Sequence, residues 1–474
     1  MKSFSRGGRK AAATPRWPHR ALIGRAVLAL ALMSPAACGD VTDTLLEATD
    51  PDLINPSDLD SPDGATALKF GALNRFRNMT AGITAAGTEG MWLLGGLLAD
   101  EWSTSSTFQE NDQIDKRDVA PANASVLGSY RNVNRVRTAA NQAIPSLKKY
   151  FPDGKADLAE MYFARGFAEL QLASDFCNGI PLSDASGATI EFGEQKSVAE
   201  VFEISIASFD TALATVSGLT DAASVRVRSA ASIGRARALL GINRPADAAT
   251  AVAGIASSYS YDHTFATTSG DNGIWSQGAS QQRYVVGANP EGNTGTFPTG
   301  GAIAFFQLKD PRVPSAFGTG LAQDGQTRAR NTTIWGRTTA VAVVNGVDAR
   351  LVEAEAALRA GNPAQMLSIL NALRAAPPKV GDVQPAGLTA LTDPGTEAGR
   401  VDLLFRERAL WTYGRGERLG DLRRLIRQYG RTVDQVFPTG QHYKGGQYGS
   451  AVNFEIPADE DNNPSFAGCT NRSA

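Results

Sequence analysis

RLVEAEAALRAGNPAQMLSILNALRAA, residues 350–376, decides the fold class. An alanine-rich helix ends near Gly361, Asn362 can cap the free amides that follow, and Pro363 suits the first turn of a second helix. An earlier stretch has the same layout. A helical segment at 224–241 is followed by a break at Asn243-Arg244-Pro245 and another helix from Ala246. Small residues at facing positions, Gly234, Ala238, Ala354 and Ala357, let such helices approach closely.

Working outward, a helix is expected to start at Ser61-Pro62, with Ala65, Leu68, Ala72, Leu73 and Phe76 at helical spacing. Further helices are expected at 124–149, 157–177 and 198–215. The paired pattern resembles tetratricopeptide helix pairs, whose period is about 34 residues, although the pairs here are not contiguous. The expected fold is mostly α, a tetratricopeptide-like scaffold of helical hairpins.

From about 256 to 345 the character changes. Glycine, serine, threonine and asparagine alternate with aromatics (Tyr259, Tyr261, Phe265, Trp275, Tyr284, Phe297, Phe305, Phe306, Trp335) and no helical period is visible. A connector of that length is usually functional or disordered, and its aromatics argue against disorder. It is read as an ordered, loop-rich face inserted in the helical scaffold.

The chain opens with seven Lys and Arg residues and no acid in residues 1–37, an apolar run from Ala26 to Met33, and Ala36-Ala37 before Cys38. This resembles a bacterial lipoprotein signal, in which the peptide is cut before a cysteine that is then acylated. Pro35 stands where that pattern usually has Leu, and signal cleavage without lipid is the alternative. The run is too short to cross a bilayer, which needs about 20 apolar residues. The chain therefore divides into a lipoprotein signal peptide at 1–37, an acidic tether at 38–60 and a single helical domain at 61–474. Without the leader, 39 basic side chains face 48 acidic ones, which argues against a nucleic-acid partner.

Cys177 and Cys469 remain in an exported chain where a disulfide can persist, and two separate buried thiols are the other reading. His263 and His442 lack metal-ligand spacing, and no nucleophile elbow, phosphate loop or Cys-x-x-Cys is present, so no metal, cofactor or catalytic residue is expected. Flat rings beside polar side chains are instead what a sugar or peptide site needs. Trp102, Phe108, Trp275, Tyr284 and Trp335 are the candidate ligand contacts, whereas Phe305 and Phe306 read as core. Glu407, Arg408, Arg418, Asp421 and Arg423 read as an ion-pair network between helices.

Several stretches together resemble the SusD/RagB family of outer-membrane nutrient-binding lipoproteins. They are LGSYRNVNRVRTAANQAI at 127–144, AEMYFARGFAELQLASDFCNGIPLS at 159–183, KDPRVP at 309–314, FRERALWTYGRGERLGDLRRL at 405–425 and FEIPADEDNNP at 454–464. Departures fall at Ala409 to Trp411 and at Leu419-Gly420. The resemblance implies a lipid-anchored protein at the outer face of the outer membrane that captures an oligosaccharide or peptide without catalysis. It also implies delivery of that ligand to a TonB-dependent, SusC-like barrel transporter. A helical-repeat lipoprotein that assembles envelope proteins is the main alternative, and a secreted glycosidase with paired carboxylates a third.

Overall fold

The computed structural model describes residues 59–82, 89–287 and 302–474; the expected signal peptide at 1–37, Cys38, nearly all of the expected tether and Phe297 lie outside them. Its first helix, α1 (Pro62–Thr80), starts at the expected cap, with Ser61 Oγ accepting from the Gly64 amide at 2.9 Å. Then comes α2 (Met91–Ala99), MWLLGGLLA, apolar on every side and buried at every residue, as a core helix should be. A short strand β1 (Trp102–Thr104) and helix α3 (Gln109–Asp115) lead into α4 (Ala124–Tyr150) and α5 (Lys155–Asp175). Strands β2 (Ile180–Pro181) and β3 (Gln195–Lys196) precede α6 (Val198–Thr215), α7 (Ala222–Gly241) and α8 (Pro245–Val252).

After strands β4 (Ser260–His263), β5 (Tyr284–Val286), β6 (Ser315–Leu321), β7 (Arg328–Thr332) and β8 (Val341–Asn345), the helices resume. They are α9 (Gly346–Arg359), α10 (Pro363–Ala375), α11 (Glu397–Trp411) and α12 (Arg418–Tyr429). Asn362 caps α10 as its sequence suggests, accepting from Gln365 N at 3.1 Å. The fold is mostly helical, with tetratricopeptide-like pairs: α4 packs on α5, α5 on α6, α6 on α7, α7 on α8 and α9 on α10. Close approach comes from glycine. A methyl group on Gly234 of α7 would sit 2.5 Å from the Phe209 ring of α6, which is itself fully buried.

One helix stops earlier than its periodicity suggests. α5 ends at Asp175 because Cys177 N donates to Phe454 O at 2.9 Å, which diverts the backbone toward the C-terminal segment. Cys177 and Cys469 are disulfide-bonded there, with a Cα–Cα distance of 5.9 Å. The same segment meets α4, where Tyr130 Oη donates to Glu460 at 2.9 Å and Arg131 to Asp459 at 2.6 Å.

The expected ion-pair network exists and is larger than its sequence suggests. Arg408 pairs with Asp421 at 2.7 Å and Glu417 at 3.1 Å, Arg418 with Asp100 at 2.6 Å, and Glu407 with Arg312 and Arg374 at 2.7 Å each. All but the partly exposed Arg374 are buried, so loss of one buried partner would strand a charge at a cost of roughly 3–5 kcal/mol. Arg423 departs from that reading. It donates to the carbonyls of Ala173 and Ser174 at the end of α5, and burial pushes its guanidinium down to about 9.

The insertion also differs from a loop-rich face of presented rings. It pairs as short antiparallel strands, β4 with β8, β6 with β7, and β5 with β1 outside it. Most of its aromatics turn inward: Tyr261, Phe265, Tyr284, Phe305, Phe306 and Trp335 are all buried. Burying those rings in the helical core releases them from water, and packing against neighbours at ring distances adds to that. Phe317, on β6, is the exposed exception among the described residues of the insertion and stacks with Arg328 at 3.6 Å.

Candidate functional site

A cleft of about 420 Å³ opens where the insertion meets the start of α9 and the turn that follows α10. Its volume falls within the range of small-ligand sites, roughly 300–1,000 Å³. One wall is the approach to β4 and its outward residues, Ser257, Ser258, Tyr259, Ser260 and Asp262. Strand alternation explains the choice: Tyr261 and His263 are buried, so Ser260 and Asp262 point the other way. Ser260 pairs with Asn345 and Asp262 with Ala342 on β8, with a bulge between Tyr261 and Asp262.

Trp335 lines the cleft from the loop before β8. It is fixed from behind: its ring stacks with Tyr413 at 6.4 Å and an interplanar angle of 15°, and it presses on Gly414. Gly414 has φ +70°, a conformation that L side chains rarely adopt, and a methyl group there would sit 2.6 Å from the Trp335 ring. A second wall is the Pro378–Gly381 turn. Asp382 ties that turn to the tryptophan loop, its N–H donating to Ile334 O at 2.8 Å and its carboxylate accepting from Gly336 N at 3.2 Å.

Arg415 also lines the cleft and is almost wholly buried. Its Nη2 donates to both oxygens of Asp348, at 2.7 and 2.6 Å, while its Nε is buried with no hydrogen-bond partner among the described residues. Tyr259 is half-buried, and its hydroxyl donates to Arg226 O at 2.6 Å, which leaves its ring as the available surface. Rings, hydroxyls and a few fixed polar groups can hold a small polyhydroxylated or peptide ligand by stacking and hydrogen bonds.

Of the five expected ligand contacts, the cleft holds Trp335. Trp102 is 2 % exposed, Tyr284 1 % and Trp335 4 %, so none of the three offers a ring face to solvent, and Trp335 reaches the cleft only by the small part left uncovered. The reason is pairing and packing: β1 carries Trp102 against β5, its ring meets Tyr413 at 5.0 Å, and the Tyr284 hydroxyl accepts from Asn111 at 3.1 Å. Trp102 lies behind Trp335, since both rings close on Gly414. Trp275 ends a three-residue helical turn and packs partly buried against the core. Phe108 is 38 % exposed beneath the Arg283 guanidinium at 4.3 Å and does not line the cleft. Lys379, Gly381 and Arg415 lie outside the 256–345 stretch, and their only signal in sequence is a Pro-Pro turn and a glycine-flanked arginine.

His263 is not a ligand-binding group here, because burial pushes it down to about 3 and its ring packs on Phe76 at 4.8 Å. Among the described residues no group of His, Cys, Asp and Glu is arranged to hold a metal ion. Nor is any described helix long and apolar enough to cross a membrane.

In sequence, no family model and no curated protein matches the chain. In structure it is similar to a SusD superfamily protein from Bacteroides vulgatus, with a TM-score of 0.60, 15% identity, and 87% of this chain and 99% of the other covered. It is likewise similar to a surface glycan-binding protein A from Bacteroides uniformis, with a TM-score of 0.59, 14% identity, and 86% and 99% covered. A SusD-like carbohydrate binding protein from Bacteroides vulgatus gives a TM-score of 0.58 at 14% identity, with 86% and 97% covered. The fold is the SusD-like one, and the similarity runs through almost the whole of each relative.

Proposed function

We propose that this protein is a cell-surface lipoprotein that captures an oligosaccharide or peptide nutrient and delivers it to a TonB-dependent barrel transporter of the outer membrane. The observation that carries the reading is the cleft, where the half-buried Tyr259 ring stands among serines, with Trp335 fixed behind the wall, on a SusD-like scaffold. A glycan is favoured over a peptide. Ring faces suit the apolar faces of sugars, and two of the similar structures are described as carbohydrate- or glycan-binding. Binding needs no bond to break, so no catalytic group is assigned.

The anchor is assigned to Cys38 from its sequence context. A lipid there would hold the protein beside its barrel, so docking proceeds at high effective concentration and a modest interface suffices. Affinity electrophoresis of the exported chain through gels containing different polysaccharides tests the ligand class. Retardation by at least one glycan supports the reading. Migration unchanged in every glycan, together with capture of peptides, would turn it to the peptide form, and hydrolysis of a retarding glycan would move the protein to the enzymes.

A further inference from the structure

One end of the molecule carries two exposed phenylalanine rings. Phe70 on α1 is 59 % exposed, and Phe151, in the turn between α4 and α5, is 38 % exposed. Contacts join them into one surface. At the end of α4, Lys149 and the Tyr150 hydroxyl hold the Asp60 carboxylate at 2.6 and 2.8 Å, and Phe151 follows directly. Gly154 N then donates to Phe151 O at 2.9 Å, and Asp157, just beyond, pairs at 2.8 Å with Lys69, which lies over the Phe70 ring at 4.8 Å. The charges of this end cancel: Asp60 and Asp157 are engaged, and exposed Lys148 and Lys155 stand against exposed Asp63 and Asp153.

We propose that this end, formed by the first half of α1 and the α4–α5 turn, rests on the lipid bilayer with the Phe70 and Phe151 rings in its interface. The inference rests on the lipid anchor proposed at Cys38 and adds the face that the anchor brings down. The chain from Cys38 enters the described structure at this same end, through Leu59 and Asp60. Twenty residues lie between Cys38 and Leu59, a length that spans about 25 Å relaxed and at most about 75 Å taut. Two half-exposed rings bind a bilayer weakly alone, but a tether of that length supplies an effective concentration of the order of millimolar, which makes a weak face sufficient. Exposed aromatics flanked by lysines suit the headgroup boundary, where rings leave water and long charged side chains stay in it. With its charges balanced, the face is held by its rings and not by anionic lipid.

The lipidated full-length protein, reconstituted on vesicles of phosphatidylethanolamine and phosphatidylglycerol, tests this with one added tryptophan at a time. Phe70→Trp and Phe151→Trp exchange one exposed ring for another and leave the core untouched. In each, the emission added over the parent should move to the blue on vesicles and lose intensity when the lipids carry brominated acyl chains. Raised salt should not reverse either change, because screening acts on charges and not on buried rings. Phe317→Trp, on β6 of the insertion and as exposed as Phe151, should show neither change.

Emission that behaves alike in all three variants, in a protein that floats with the vesicles, would overturn the membrane face and leave the anchor standing. A wild type that does not float with the vesicles would overturn the anchor and this inference with it.

Discussion

Glu101 is fully enclosed beneath the turn that supports the cleft. Its Oε1 accepts from Gly414 N at 2.9 Å, its Oε2 has no partner among the described residues, and burial pushes the carboxyl from 4.5 up to about 8. A carboxyl raised above its unfolded value contributes stability that is complete below about 4.5 and is lost as pH rises through about 8. Melting temperature should therefore fall between pH 6 and pH 9. Asp175, pushed up to about 7 by burial, adds to the same slope, so Glu101→Gln should flatten it in part. Melts of both proteins across that range decide it, and an unaltered slope in the variant would assign the loss to other groups. At this scale Trp102 and Trp335 look alike in sequence, each a tryptophan among polar or glycine neighbours. Both are buried against Tyr413, from a distant part of the chain, and what separates them is that Trp335 alone borders the cleft. Local composition cannot report that. Trp102→Ala should thus destabilise the fold by roughly 3–5 kcal/mol, as truncation of a buried ring does, and urea melts would show it.

Among the elements, α6 and α7 lean on a contact of glycine and ring. Gly234→Ala places a methyl group against Phe209, whose ring is enclosed and has no room to turn aside. Overpacking costs about 1–3 kcal/mol, which outweighs the gain of up to about 1 kcal/mol from better helix propensity. Chemical denaturation should show a net loss, and a variant as stable as its parent would mean that the two helices have slack. The helices were legible because their caps and periods are local: Ser61, Asn362 and Pro363 sit where the backbone uses them. The strands were not. β1 and β5 have three residues each, too few for alternation to show, and each finds its partner across the molecule. The cleft inherits that difficulty, since its walls come from β4, the tryptophan loop, the Pro378–Gly381 turn and Arg415.

For the molecule as a whole, the Cys177–Cys469 bond ties the end of α5 to the C-terminal segment across 292 residues. Replacing both cysteines by serine should cost roughly 2–5 kcal/mol, and calorimetric melts under non-reducing conditions would measure it. An unchanged melting temperature would show that the hydrogen bonds between Asn178 and the tail suffice alone. Cys38 directly follows the leader expected at 1–37, in which basic, apolar and small residues stand in lipoprotein order. Cys38→Ala should move the protein from the membrane pellet to the soluble fraction, and a variant that pellets as fully as its parent would remove the anchor. The central claim, capture of a glycan on the cleft at Tyr259, is tested most directly by titration calorimetry of wild type and Tyr259→Ala against an oligosaccharide that retards the wild type. The expected result is a saturable heat in wild type, weakened by about 1–3 kcal/mol in the variant with its melting curve still cooperative. Wild-type affinity in a folded Tyr259→Ala protein would contradict the claim and place the site elsewhere.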